Sequence, residues 1–204
     1  MMAIKMYSPS DESEWNYWIQ EWWKWLLSIP DDTNPSNDHT GQNCGINQTG
    51  KDDRKVWFLT GSHSRRCTRT CTIPSQKRIL LPVANIETSI AEFGTNVESE
   101  LFKLAKEGNR VQDMWLTLDK DRINKSDLEK YYKETPLFDV YLPENNIWLW
   151  TDSGPTKAVS VGYWVFLEPL STGNHTLRFY QKTADNPSTG TLHCEYDVTY
   201  NLTV

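Results

Sequence analysis

The sequence predicts a mainly β protein, an antiparallel β-sandwich of jelly-roll type with an N-terminal amphipathic helix and one or two short helices outside it. Three observations predict it. Residues 15–29 carry five of the ten tryptophans of the 204-residue chain at helical spacing. From residue 137 onward, short runs of alternating or continuous apolar residues are separated by turn residues. Nowhere do strand and helix patterns alternate in the rhythm of parallel βαβ units. No internal repeat and no clear linker divides the chain, so residues 1–204 are read as one domain.

The helix is read over residues 11–29. At about 100° per residue, Trp15, Trp18, Ile19, Trp22, Trp25, Leu26 and Ile29 share an arc of roughly 120°, with Asn16, Tyr17, Gln20, Glu21, Lys24 and Ser28 opposite. Trp23 and Leu27 sit on the flank. Ser8-Pro9-Ser10-Asp11 offers a start, Asp11 with Glu14 another one turn later, and Pro30 the stop. A stripe at this spacing is the mark of a helix laid on a sheet. A membrane-surface helix would want several basic residues on its polar face, where Lys24 stands against Glu21.

After an Asn-, Asp- and Gly-rich loop over 31–50, Val56-Trp57-Phe58-Leu59 reads as a buried strand. Residues 67–73 and 78–85 read as two further strands joined as a hairpin by Pro74-Ser75-Gln76-Lys77, with Pro82 marking an edge or a bulge. Thr95 with Glu98 suggests a capping box, and Val97, Leu101, Leu104 and Ala105 share a face, giving a helix over 95–108 ended by Gly108. Residues 111–118 read as a strand, Ser126 to Tyr132 as a short helical turn, and 137–142, 147–151, 158–167, 176–181 and 191–204 as strands. A loop over 185–190 precedes the last.

The net charge of −6 leaves no basic face for a nucleic-acid partner, and Arg65, Arg66 and Arg69 are read as a solvated cluster. No run of 18 apolar residues marks a transmembrane segment, and Met1 to Met6 lacks the apolar core and cleavage site of a secretion signal. The four cysteines, Cys44, Cys67, Cys71 and Cys194, allow three disulfide pairings. Zinc ligation is weakly supported, because only Cys67 and Cys71 are close in sequence.

Several segments resemble a family of uncharacterised microbial proteins. They are Trp22-Trp23-Lys24-Trp25-Leu26-Leu27-Ser28-Ile29-Pro30, then Asn34-Pro35, Asp38-His39-Thr40-Gly41, Cys44 and Gln48. Val56 to Gly61, Arg69-Thr70-Cys71-Thr72-Ile73-Pro74, Gly162 to Leu170 and the Gly173, His175-Thr176 turn follow. The resemblance covers most of the chain except roughly 98–134. It brings no assigned activity and no catalytic residues. Many members carry an export signal, which implies an extracellular or cell-surface protein and a Cys44–Cys71 disulfide; with no such signal in this sequence, a cytoplasmic protein is the alternative.

No Gly-x-Ser-x-Gly elbow, phosphate-binding loop, Gly-x-Gly-x-x-Gly or His-Glu-x-x-His motif is present. Asp38, His39 and His63 are candidates for an acid/base or metal site, against the reading that Asp38 caps a turn before Gly41. Glu87, Glu98 and Glu100 are the carboxylates to consider for glycoside hydrolysis, though their spacing does not set two of them across a cleft, and Glu98 serves as a capping residue. Trp148 and Trp150, at i and i+2, would share one strand face with Tyr141, Tyr163 and Trp164 nearby, a row of rings suited to stacking on sugars. The opposing reading packs that face under the first helix. The sequence therefore points to an exported or cell-surface binding domain that needs no cofactor, with a carbohydrate or another cell-surface polymer held by Trp148, Trp150 and Trp23. The alternative is a hydrolase using Asp38, His39 and His63, with or without a transition metal such as zinc.

Overall fold

The computed structural model describes residues 4–48, 55–186 and 192–204; the ends of the 31–50 and 185–190 loops, and Thr191, lie outside them. Helix α1 (Glu12–Leu27) is followed by β1 (Val56–Phe58), β2 (Arg66–Thr72) and β3 (Arg78–Ser89). Next come α2 (Ile90–Phe93), α3 (Glu98–Gly108), β4 (Val111–Leu118), β5 (Asp121–Asn124) and α4 (Lys125–Leu128). Strands β6 (Tyr132–Glu134), β7 (Phe138–Leu142), β8 (Gly154–Leu167), β9 (Asn174–Thr183) and β10 (Glu195–Thr203) complete the chain. They form two five-stranded sheets. Sheet I has the order β1-β3-β8-β6, with β7 also on β8, and sheet II the order β2-β10-β9-β4-β5.

The protein is mainly β, but the sheets are mixed. The β1/β3 and β2/β10 pairs are parallel, which corrects the wholly antiparallel pairing expected of a jelly roll. The 67–73/78–85 hairpin is also corrected: β2 belongs to sheet II and β3 to sheet I, so Pro74 to Lys77 carries the chain from one sheet to the other.

Layering explains the sequence patterns. Sheet I lies in the middle. One face packs on α1 through Val56, Phe58, Leu80, Trp164 and Phe166, and the other faces sheet II through Trp57, Ile79, Leu81, Val165 and Leu167. Strands β1 and β3 and the second half of β8 are buried on both sides and read as continuous apolar runs. Sheet II is covered on one side, so β2 alternates strictly between exposed and buried.

Asp11 is the N-cap of α1, its carboxylate accepting from Glu14 N, and the Glu14 carboxylate accepts from Ser10 N and Oγ in return. The expected stripe is buried except for Trp18, which is half-buried, and the flanking Trp23 and Leu27 are buried too. Trp23 is covered from the sheet side, its Nε1 donating to Ser160 Oγ of β8, and the loop after the helix folds back on the helix end. Asn34 Nδ2 donates to Leu26 O and Ile29 O at the helix end, and Trp25 Nε1 donates to Ile46 O. Trp22 Nε1 donates to Leu59 O, and its ring meets Trp164 edge-on at 5.2 Å.

Three local expectations change. Helix α3 begins at Glu98 behind Val97, where Thr95 Oγ1 bonds Val97 N and Glu100, so Glu98 makes no capping box. Residues 147–151 form a turn instead of a strand. Arg69 is 1% exposed, although Arg65, Arg66 and Arg69 had the look of a solvated cluster.

Candidate functional site

Two loops and one strand meet at the end of the molecule beside the C-terminal half of α1. Residues 60–63 contribute one lip. The second is the 143–151 turn, and the wall between them is β3 after Pro82. Together with Trp22, Trp23 and Leu26 of α1, and Phe179, Gln181 and Val198 of sheet II, they enclose a cavity of about 440 Å³. That size, with mostly apolar walls and few polar groups, is typical of ligand sites.

Arg69 builds the first lip. On β2 it shares the inward face with Cys67 and Cys71. There its guanidinium donates to Ser36 O, Asp38 O, Thr60 O, Gly61 O and the Tyr200 hydroxyl at 2.6–3.3 Å. The four carbonyls lie on the 34–41 and 60–63 loops and the hydroxyl on β10, so one side chain ties both loops to sheet II. The Cys44–Cys71 disulfide pins the same loop to β2, with Cα atoms 5.9 Å apart, while Cys67 and Cys194 are free. Gly41 of this loop, at φ 91°, lies against β2, and any side chain there would strike the Thr70 backbone.

His63 projects from this lip. Its Nδ1 is 2.8 Å from Asn37 Oδ1, and Asn37 Nδ2 donates to Asp31, which fixes the amide so that its oxygen faces the ring. The imidazole therefore carries its proton on Nδ1. Desolvation lowers its pKa, with Arg69 adding to the effect against the attraction of Asp31, so the ring is neutral at pH 7.

Asn146 shapes the second lip. Its buried side chain accepts from Trp148 N and Thr151 Oγ1 and donates to Pro143 O and Thr151 O. The turn leaves Trp148 half-buried and Trp150 69% exposed. Their rings lie 5.7 Å apart at 32°, and the His63 ring lies 6.0 Å from Trp148. The two indoles are thus neighbours, as expected, but a turn and not a strand sets them side by side. Tyr141 is exposed, whereas Trp164 is fully buried against α1, so the expected row of five aromatics does not form one face.

Trp148 Nε1 donates to Glu87 Oε2 at 3.2 Å. Glu87 is buried on β3, and its Oε1 has no donor. Burial first, and the neighbouring Glu92 carboxylate second, push its pKa well above the usual carboxylate range. Glu92 accepts from Ser89 N and Oγ in the capping box of α2, and burial raises its pKa as well. Both carboxyls are thus harder to ionise than a free one, Glu87, the deeper of the two, more so than Glu92. Two further lining residues, Asn85 and Arg110, have buried donors without acceptors, Nδ2 and Nε.

The sequence-derived residues fare differently. Asp38 braces its own loop, accepting from Thr40 N, Thr40 Oγ1 and Asn43 N; burial is the largest single effect and raises its pKa, but the hydrogen bonds together outweigh it and the pKa is lowered. His39 pairs with Ser64 Oγ, and His63 with Asn37, so neither imidazole bonds to Asp38. Among the described residues, no group of three or more His, Cys, Asp or Glu side chains is placed to hold a metal ion. Trp23 is 4% exposed, its Nε1 donating to Ser160 Oγ, and it serves as cavity wall. Glu98 and Glu100 lie in the first turn of α3, and the carboxylate beside Glu87 is Glu92. The Ser89-x-x-Glu92 spacing was the readable signal for α2.

No protein-family model and no curated protein matches the chain. Among solved structures, the chain is similar to one in the structure of PbICP-C in complex with falcipain-2. That likeness covers 72% of this chain and 98% of that one at 13% identity, with a TM-score of 0.28. Among the described residues, no helix is long and apolar enough to cross a membrane.

Proposed function

We propose that the chain is an exported or cell-surface binding domain whose ligand is a carbohydrate or another cell-surface polymer, held by Trp148 and Trp150. One observation carries this reading: an exposed indole stands beside a half-buried one at the mouth of a cavity. Exposed aromatic faces stack on the C–H faces of sugar rings at low entropic cost, because an indole held on one side has few rotamers to lose. The Trp148 Nε1–Glu87 bond provides that restraint. Trp23 contributes through the cavity wall. The disulfide agrees with an oxidising compartment.

A glycan array followed by titration of tryptophan fluorescence tests the proposal. Binding lost in both Trp148→Ala and Trp150→Ala, with melting temperatures unchanged for Trp150→Ala, is the expected result. Absence of any glycan ligand, or binding indifferent to both substitutions, overturns it. The hydrolase alternative would leave Asp38 as a loop brace and requires turnover that His63→Ala abolishes.

A further inference from the structure

Strand β1 pairs with β3 only from Arg78 to Leu80. A bulge between Pro82 and Ala84 then turns β3 away, and among the described residues no strand lies on its other side beyond that point. The direction of the free backbone groups follows from the ladder. Ser160 of β8 sends its N–H to Thr135 Oγ1 and receives Thr135 N–H on its carbonyl, both on the side away from β3. Antiparallel pairing alternates, so Val159 and Val161 exchange bonds with Thr88 and Ile86. The N–H and C=O of Asn85 and Glu87 are therefore directed off the sheet edge. The corresponding edge of β2 is covered, since Thr70 N donates to Thr40 O of the disulfide-pinned loop.

The cavity runs along this open edge. Trp23 and Leu26 of α1 flank it on one side, and Phe179 and Val198 of sheet II on the other. The edge thus offers donors and acceptors at the two-residue repeat of a strand, with apolar walls above and below where alternate side chains of a strand would point. A single arginine, Arg110, and a single carboxylate, Glu87, are among the lining residues, so the groove favours an uncharged occupant.

We propose that this groove receives an extended, uncharged peptide segment of a partner protein, which adds as a strand to the open edge of β3 at Asn85 and Glu87 and buries alternate apolar side chains between α1 and sheet II. Backbone pairing supplies affinity and the two walls supply selectivity, as in other strand-addition sites. The proposal is independent of sugar stacking at Trp150, although Trp148 borders both sites.

A random heptapeptide display library, panned on the intact chain, supplies the probe. Selected peptides are resynthesised with single N-methyl groups, and their affinity is measured for the parent and for Asn85→Pro. Proline at this position removes an N–H that no neighbouring strand uses, and edge positions of this kind tolerate it, so the fold is retained. A thermal melt checks this, and hydrogen exchange at Glu87 N–H gives a second backbone readout that needs no substitution. The expected result is a consensus with apolar residues at alternate positions. Affinity falls about ten-fold or more on N-methylation at every second residue and in Asn85→Pro, and Glu87 N–H exchanges more slowly in the complex. Failure to select any peptide, or selected peptides indifferent to N-methylation and without effect on Glu87 exchange, overturns the proposal. So does concentration-dependent dimerisation abolished by Asn85→Pro, which would assign the edge to a second copy. Glycan binding that survives Asn85→Pro leaves the sugar reading standing whatever the peptides do.

Discussion

Arg69 and Glu87 are both buried ionisable side chains beside the cavity, and the contrast between them separates scaffold from site. Arg69 has donors spent on four carbonyls and a phenol, so its charge is solvated by the protein much as water would solvate it. Glu87 has one donor on one oxygen, none on the other, and a second carboxylate next to it. A fully satisfied buried ion is a fastening. A buried acid kept neutral beside a like neighbour, at a cavity wall, is where a protein gives up stability for something else.

The largest effect should follow from removing the fastening. Arg69→Ala leaves carbonyls of two loops and the Tyr200 hydroxyl without their donor, and opens a void under the lip. A loss of about 3–5 kcal/mol in chemical denaturation is expected. Arg69→Lys should recover only part of it, because one ammonium cannot span acceptors that a planar guanidinium reaches in several directions. A loss under about 1 kcal/mol would mean that the loops hold themselves.

Reduction of Cys44–Cys71, or its replacement by alanines, should cost about 2–4 kcal/mol from the loop entropy it removes. It restrains the loop that Arg69 also ties down. The combined variant should therefore lose less than the sum of the two, a coupling that a double-mutant cycle measures. Strict additivity would place Arg69 and the disulfide in separate cooperative units. On the other side of the comparison, Trp148→Phe keeps a ring and deletes the donor to Glu87. It should cost about 1–2 kcal/mol and blue-shift no other tryptophan.

Much of this was legible in the residues and some was not. The α1 stripe, the cap at Asp11 and the in–out alternation of β2, β7 and β10 were readable because each depends on local geometry. The period-two pattern of β2 even sets Arg69 on the face of Cys67 and Cys71; its charge disguised it. Sheet membership was not readable. Pro74 to Lys77 has the composition of a hairpin turn, yet it crosses between layers, and only the packing of β3 under α1 decides that. The Cys44–Cys71 pairing followed from resemblance, since four cysteines alone leave three possibilities. The Glu87–Glu92 pair escaped notice because it requires β3 to run without a break into α2, which brings residues five apart back together. Trp148 and Trp150 were chosen as strand neighbours, and a turn organised by Asn146 brings them to the same relation.

The smallest effect carries the sharpest sign. In the folded chain Glu87 keeps its proton above the ordinary carboxylate pKa, because burial disfavours its charged form and the neighbouring Glu92 carboxylate adds to that. The folded state therefore binds more protons than the unfolded one. The contribution of Glu87 is fully present below the ordinary pKa near 4.5 and declines as pH rises toward its folded value. Glu92, also raised, adds to the same trend. Glutamine imitates the protonated acid: its amide donates toward Glu92, and its carbonyl accepts from Trp148 Nε1. Glu87→Gln should match the parent within about 0.5 kcal/mol at pH 4 and become the more stable of the two at higher pH. The difference opens by no more than about 1.4 kcal/mol per pH unit, the limit for one proton. Urea midpoints from pH 4 to 9 measure it. If the parent instead gains on the glutamine variant as pH rises, Glu87 is ionised in the folded chain and a cationic group holds its carboxylate.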